Sequence, residues 1–222
     1  MNKVYNTVWN ESIGMWVVTS ELTRKGGQRP RQIRRTVLAG LVAGLLLPSA
    51  PTLATAWDSV TLGSGGTSGS MTLNAGDTAN NTTINSGGQQ YVSSGGSATS
   101  TTINSGGEQY VSNGGSATST TVSNGGQQYV SSGGSATSTT INSGGRLSVF
   151  NGSAVDITQN SGGAISTDTS SDLSGANAKG SFSIAGGSAN NMLLENGGYL
   201  MVLDGHQASD TTVGSYGTLG VV

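Results

Sequence analysis

Beyond residue 80 the apolar side chains recur at a fixed interval of nineteen residues. Ile84, Ile103, Val122 and Ile141 form one series, Val92, Val111 and Val130 a second, and Ala98, Ala117 and Ala136 a third. The polar positions keep the same phase. Thr82–Ser100 reads TTINSGGQQYVSSGGSATS, Thr101–Ser119 reads TTINSGGEQYVSNGGSATS, and Thr120–Ser138 reads TTVSNGGQQYVSSGGSATS. A fourth copy opens at Thr139 as TTINSGGRLSV and then degenerates, with one residue missing before Gly162-Gly163. Gly198 and Gly217 repeat the interval once more. Self-similarity at this period marks a repeat architecture, in which one small unit cannot bury its own apolar face and stacks on its neighbours.

Two Gly-Gly pairs in each unit, such as Gly87-Gly88 and Gly95-Gly96, permit positive φ and sharp turns. The runs between them are too short for helices, and their Thr, Ile, Val and Tyr favour strands. The expected fold is all-β: a parallel β-helix, a β-solenoid with one nineteen-residue repeat per coil. Its right hand follows from the default chirality of strand crossovers. Period-two alternation points the Ile and Val series inward, and the Ala series inward at a tight corner. Tyr91, Tyr110 and Tyr129 then face outward as an aromatic ladder. Gln90, Gln109 and Gln128 lean inward, and Asn85, Asn104 and Asn142 sit at a turn where amide ladders can link coils. Eight or so coils from about residue 74 would make a rod of about 40 Å. Residues 57–80 are expected to cap this rod, 81–145 to carry the regular repeats, and 146–222 to form degenerate coils. The last residues, Leu219-Gly220-Val221-Val222, fall in mid-coil, which suggests a truncated or fragmentary form of a longer solenoid.

Residues 1–56 follow a different grammar. They hold seven Lys or Arg against two acids, whereas 57–222 hold two cations against nine acids, so a net charge of −2 conceals a basic leader and an acidic rod. Arg29–Arg35 forms a basic cluster, Val37–Leu47 is an uninterrupted apolar run, and Pro48 and Pro51 end it. Eleven residues reach roughly 16 Å as a helix, about half of a bilayer core. The segment therefore reads as a cleavable export signal. Ala54 and Ala56 supply small residues at −3 and −1, which places cleavage before Trp57.

Composition narrows the chemistry. The chain has no Cys, which excludes disulfides, thiol catalysis and Cys-based zinc sites, and His206 is its one His. The acids of the rod are scattered. Asp168/Asp172 and Asp204/Asp210 could pair, but surface acids are the plainer reading, and the repeats lack the phased Asp of calcium-binding solenoids. The acidic rod argues against nucleic-acid binding. No catalytic residue, cofactor or metal site is expected. A surface interaction protein fits best, with the Tyr ladder either a contact face or a stiffener. A polysaccharide-acting β-helix enzyme rests on fold analogy alone.

Two stretches carry a resemblance to a known family. MNKVYNTVWNESIGMWVVTSELTRKGG, with Val8-Trp9-Asn10 and Trp16-Val17-Val18, resembles the extended signal peptide region of large Gram-negative autotransporters. Together with the TTINSGGQQYVSSGGSATS repeats it is similar to the self-associating autotransporter adhesins of the AIDA and TibA type. The resemblance implies Sec export, a β-helical passenger at the cell surface, bacterial autoaggregation, biofilm formation and attachment to host cells. It also implies O-glycosylation by a cytoplasmic heptosyltransferase, and the matching serines are Ser86, Ser94, Ser105, Ser132 and Ser143. Asn113 and Asn124 lack the hydroxyl. Such proteins end in an outer-membrane β-barrel whose strands of about ten residues alternate apolar and polar, and no such pattern occurs here. Without a barrel the chain is expected in the periplasm or medium, or to be a non-functional fragment.

Overall fold

The computed structural model describes residues 5–10, 14–20 and 53–222, in two separate units. The basic cluster, the apolar run and the two prolines of the export signal lie outside the described residues. In the first unit Tyr5–Asn10 pairs antiparallel with Met15–Ser20. Trp9 sits opposite Trp16, their ring centroids 5.6 Å apart at 66°.

The second unit is a parallel β-solenoid with a nineteen-residue spacing. Each coil contributes a short strand to each of three faces, and equivalent residues of successive coils pair in register. Ile84 pairs with Ile103, Ile103 with Val122, and Val122 with Ile141. Ala79, Ala98, Ala117, Ala136 and Ala154 form a second column. The third face is an eight-stranded sheet containing Gln89–Val92, Glu108–Val111 and Gln127–Ser131. The Ile, Val and Ala columns are buried throughout. Narrow coils need no bulky core, which is how a chain with 2 Phe and 37 Gly folds. Residues 57–80 belong to the stack as well: Ala56–Asp58, Thr61–Leu62 and Ser70–Leu73 pair parallel with the next coil. Any capping there is done by a coil of the same kind.

The turns follow the residue before each Gly pair. At Ser86, Ser105, Ser132 and Ser143 only the following glycine has positive φ, the pattern of a type II turn. At Asn113-Gly114 and Asn124-Gly125 both residues have positive φ, as in type I′, which Asn tolerates well. Ser94 adopts the Asn-like form, with φ of 50°. The second glycine of each pair is required for a different reason. A Cβ at Gly96 would lie 2.4 Å from the Leu73 carbonyl oxygen, and one at Gly115 2.1 Å from that of Val92.

The third corner lies elsewhere than expected. Ala98, Ala117 and Ala136 are buried at strand centres, and the chain turns two residues later, at Ser100, Ser119 and Ser138. These three have φ of 56–57°, and Asn81, Asp156, Asn191 and Asp210 hold the same left-handed position in other coils.

The missing residue of the fourth copy is lost at a turn. Gln127 pairs with Arg146 nineteen positions on, but Ser135 pairs with Ser153, eighteen on. A larger irregularity follows. Asp172–Asn177 and Gly180–Ala185 form an antiparallel hairpin that enters the sheet edgewise between Ser153–Gln159 and Ser188–Asn190. Regular spacing would set Leu200 beside Ile165, but Thr167 pairs with Leu200 instead. The ladder has slipped by two residues, which keeps Leu200 inward because the side-chain period of a strand is two.

Candidate functional site

The eight-stranded face carries the features that distinguish this surface. Tyr91, Tyr110 and Tyr129 are aligned by strand register, and their rings stack at centroid distances of 5.1 and 4.9 Å, each pair 9° from parallel. That separation is the spacing of parallel strands, so the ladder is dictated by the fold. Tyr91 is 37% exposed, and Tyr110 and Tyr129 are half-buried between their neighbours. Each hydroxyl bonds the residue two positions earlier: Tyr91 to Gln89 at 2.9 Å, Tyr110 to Glu108 at 2.8 Å, and Tyr129 to Gln127 at 2.7 Å. Gln89 Nε2 also donates to Glu108 Oε2 at 2.9 Å. Burial, reinforced by the bond to the Glu108 carboxylate, pushes the Tyr110 phenol up to about 12. Burial also raises that of Tyr129. The Tyr110 and Tyr129 hydroxyls are therefore neutral at any physiological pH, and there the face presents uncharged aromatic edges.

The candidate serines border this same face. Ser86, Ser105 and Ser143 occupy the turn that leads into its strands, and Ser94 and Ser132 the turn that leaves them. All five are exposed. Ser161 occupies the same entering turn as Ser143 and is also exposed, yet the loss of the repeat around it hid the equivalence. Asn104 donates to Asn85 at 3.0 Å and Asn160 to Asn142 at 2.8 Å, an amide ladder that fixes this edge. Where the hairpin disturbs the stacking, the turn row opens into a groove of about 460 Å³ lined by Ser143, Ser161, Glu195, Asn196, Ser215 and Tyr216. Glu195 accepts from the Gly162 amide at 2.8 Å, and Arg146 spans the slip by donating to Ser166 Oγ at 2.7 Å and to the Gly197 carbonyl at 2.8 Å. Sequence gave no sign of this bridge.

Ala54, Ala56 and Trp57 lie at the opening of the first coil, away from the Tyr face in sequence, with Trp57 packed partly against the core. Asp168 is engaged within its own turn. Asp168 Oδ1 accepts from the hydroxyls of Ser170 and Ser171 at 2.6 and 3.1 Å and from the Ser170 amide at 3.0 Å, which makes it a turn cap. Among the described residues no group of three or more His, Cys, Asp or Glu side chains could hold a metal ion. His206 is tied to Thr169, its Nδ1 2.8 Å from the hydroxyl oxygen.

Comparison with known proteins places this face in context. Residues 58–107, 107–163 and 174–222 each match the family "Adhesin of bacterial autotransporter system, probable stalk". The chain belongs to that family of autotransporter adhesins. Residues 1–50 match the "Extended Signal Peptide of Type V secretion system". The chain is 76% identical over 209 residues to autotransporter CRAC of Citrobacter rodentium, covering 94% of this chain and 13% of that protein. It is 66% identical over 92 residues to the autotransporter adhesin/invasin TibA of Escherichia coli, 41% of this chain and 9% of that one. A crystal structure of a TibA fragment, described as hyper-glycosylated by TibC catalysis, covers 76% of this chain and 97% of its own at 33% identity, with a TM-score of 0.44. This adhesin passenger thus spans a small part of the length of those relatives.

Proposed function

We propose that this solenoid is the adhesive stalk of an exported, surface-displayed passenger and that its eight-stranded face makes the contacts. The observation that carries the reading is the union of three stacked tyrosines with two rows of exposed serines on one flat, repeating surface. Tyrosine offers large contact area at low entropic cost and is enriched in interfaces, so a ladder of them suits repeated weak contacts multiplied along a rod. Homotypic contacts through this face would give autoaggregation and biofilm formation, and contacts with host cells would give attachment. Export by the Sec route follows from the extended signal peptide region.

The same reading assigns the serines. TibA, related over 92 residues, is hyper-glycosylated by TibC catalysis. A cytoplasmic heptosyltransferase acting on this chain would modify Ser86, Ser94, Ser105, Ser132 and Ser143, and Ser161 by its equivalent turn. Glycans there would flank the tyrosines and widen the face. The test displays residues 53–222 on an outer-membrane barrel and follows cell settling. Replacing Tyr91, Tyr110 and Tyr129 with Ser should slow settling several-fold while surface amounts stay equal. Settling at the unmodified rate would reduce the ladder to a stiffener of the rod.

A further inference from the structure

The hydrogen-bonded lattice of the solenoid begins two residues before the cleavage position that the Ala54/Ala56 spacing favours. The Thr55 amide donates to Asp77 Oδ1 at 2.7 Å, and the Thr55 carbonyl accepts from the Thr78 amide at 2.9 Å. Ala56 and Trp57 then pair with Thr78 and Ala79 as the first strand of the stack. Leu53 and Ala54 stand outside. Both are exposed, Leu53 to 91%, and among the described residues neither hydrogen-bonds to the coil. The partner of Thr55 is held in place by its own turn. The other oxygen of Asp77 accepts from the Asn74 amide at 3.0 Å, and the Asp77 amide returns a bond to the Asn74 carbonyl at 2.9 Å.

Cleavage after Ala56 would remove Thr55 and Ala56 from this lattice. It would strip Asp77 Oδ1 of its donor and leave the Thr78 amide, at the start of the second strand, without its partner at the end of the stack, the edge most open to unwanted strand pairing. Cleavage after Ala54 keeps every one of these bonds. It also satisfies the peptidase, since Ala54 is then the small residue at −1 and Thr52 the small residue at −3.

We propose that the mature chain begins at Thr55, cut from its signal at the Ala54–Thr55 bond, and that the α-ammonium group so created pairs with the Asp77 carboxylate and locks the first coil. Hydrolysis of that bond consumes one water, leaves a carboxylate on Ala54, and turns the Thr55 amide nitrogen into an ammonium group 2.7 Å from its acceptor. The bond from a neutral amide to a carboxylate becomes one between two full charges, an N⁺–H···O⁻ ion pair. The backbone amides of Asn74 and Thr55 already hold the Asp77 carboxyl below its ordinary range, so it is charged whenever the new amine is. The neighbouring carboxylate on this edge, Asp58, is engaged through Oδ1 by Asn81 Nδ2 at 3.0 Å.

The full chain, exported in a Gram-negative host and recovered, supplies the test. N-terminal sequencing should read Thr-Ala-Trp-Asp; a start at Trp57, or at any other residue, overturns the assignment. The substitution Ala56→Leu separates the two bonds independently of folding, because it destroys the −1 position of the later cut and leaves the earlier one intact. Processing of that variant at the wild-type rate is expected, and accumulation of the uncut precursor overturns the proposal. The pairing itself is read from the titration of the α-amine, which should lie above its usual value of about 7.7–8 and return there in Asp77→Asn. Equal midpoints in the two proteins would overturn the pairing.

Discussion

Gln90, Gln109 and Gln128 are fully buried, an uncommon place for an amide, and each has its hydrogen bonds met inside the rod. Gln109 Nε2 donates to Gln90 Oε1 at 2.8 Å, Gln128 Nε2 to Gln109 Oε1 at 2.8 Å, and the buried hydroxyls of Thr101, Thr120 and Thr139 donate to Gln90, Gln109 and Gln128 Oε1 at 3.4, 3.4 and 3.0 Å. A one-coil slip would leave an end of this chain unpaired, so the amides specify register where Ile and Val columns would accept any coil. Gln109→Leu removes the middle rung and orphans its neighbours. It should cost about 1–3 kcal/mol in denaturant unfolding, and a loss of a few tenths would show the ladder to be dispensable. Ser94 presents the opposite case, a serine in a left-handed conformation that Asn fits better. Ser94→Asn should stabilise by a few tenths to about 1 kcal/mol, whereas Ser86→Asn, at a type II turn, should not. The inward Gln and outward Tyr were legible from alternation alone. The corner at Ser100 was not, because a left-handed serine has no signature like that of Gly-Gly.

At the scale of elements, the Asp172–Ala185 hairpin is an insertion into an otherwise phased stack. Removing the 16 residues 172–187 would bring Gly198 nineteen positions after Gly163 and align Asn191 with Asp156, both of which hold a left-handed corner. The deletion variant should keep its β-type circular dichroism and unfold cooperatively at or above the wild-type midpoint, with Leu200 returned beside Ile165. Loss of the cooperative transition would show that the hairpin holds the two halves together. Sequence disclosed the decay of the repeat after Arg146 but not this cause. Antiparallel strands inserted at a coil corner leave the period-two pattern intact and erase only the nineteen-residue phase. The Tyr rows make a second prediction for the regular coils. The folded state raises the Tyr110 phenol to about 12, against about 10 when unfolded, so its contribution to stability is complete below pH 10 and is lost as pH climbs towards 12. Melting temperature should therefore fall between pH 10 and 12, and fall less in Tyr110→Phe; identical profiles would contradict the assignment.

At the scale of the whole molecule, the chain divides a basic leader from an acidic rod, and each half serves a separate stage. The leader carries the extended signal peptide match, and the rod carries the adhesin stalk match. With two cations against nine acids the rod avoids nonspecific attraction to anionic surfaces, so the adhesion proposed for it would rest on uncharged contacts repeated along its length. Under the proposed function the stacked tyrosines and bordering serines would provide those contacts on one face. Fold class, period and face assignments could be read from the repeats because each repeat confirms the next. The clip between Thr55 and Asp77, the Arg146 bridge and the groove beside Tyr216 could not, since each joins residues that occur once. The central claim is that the tyrosine face mediates self-association. Beads coated with the purified rod should cluster with one another, and beads carrying the Tyr91, Tyr110 and Tyr129 to Ser variant should neither cluster nor join wild-type clusters. Clustering of the variant at the wild-type rate would contradict the account.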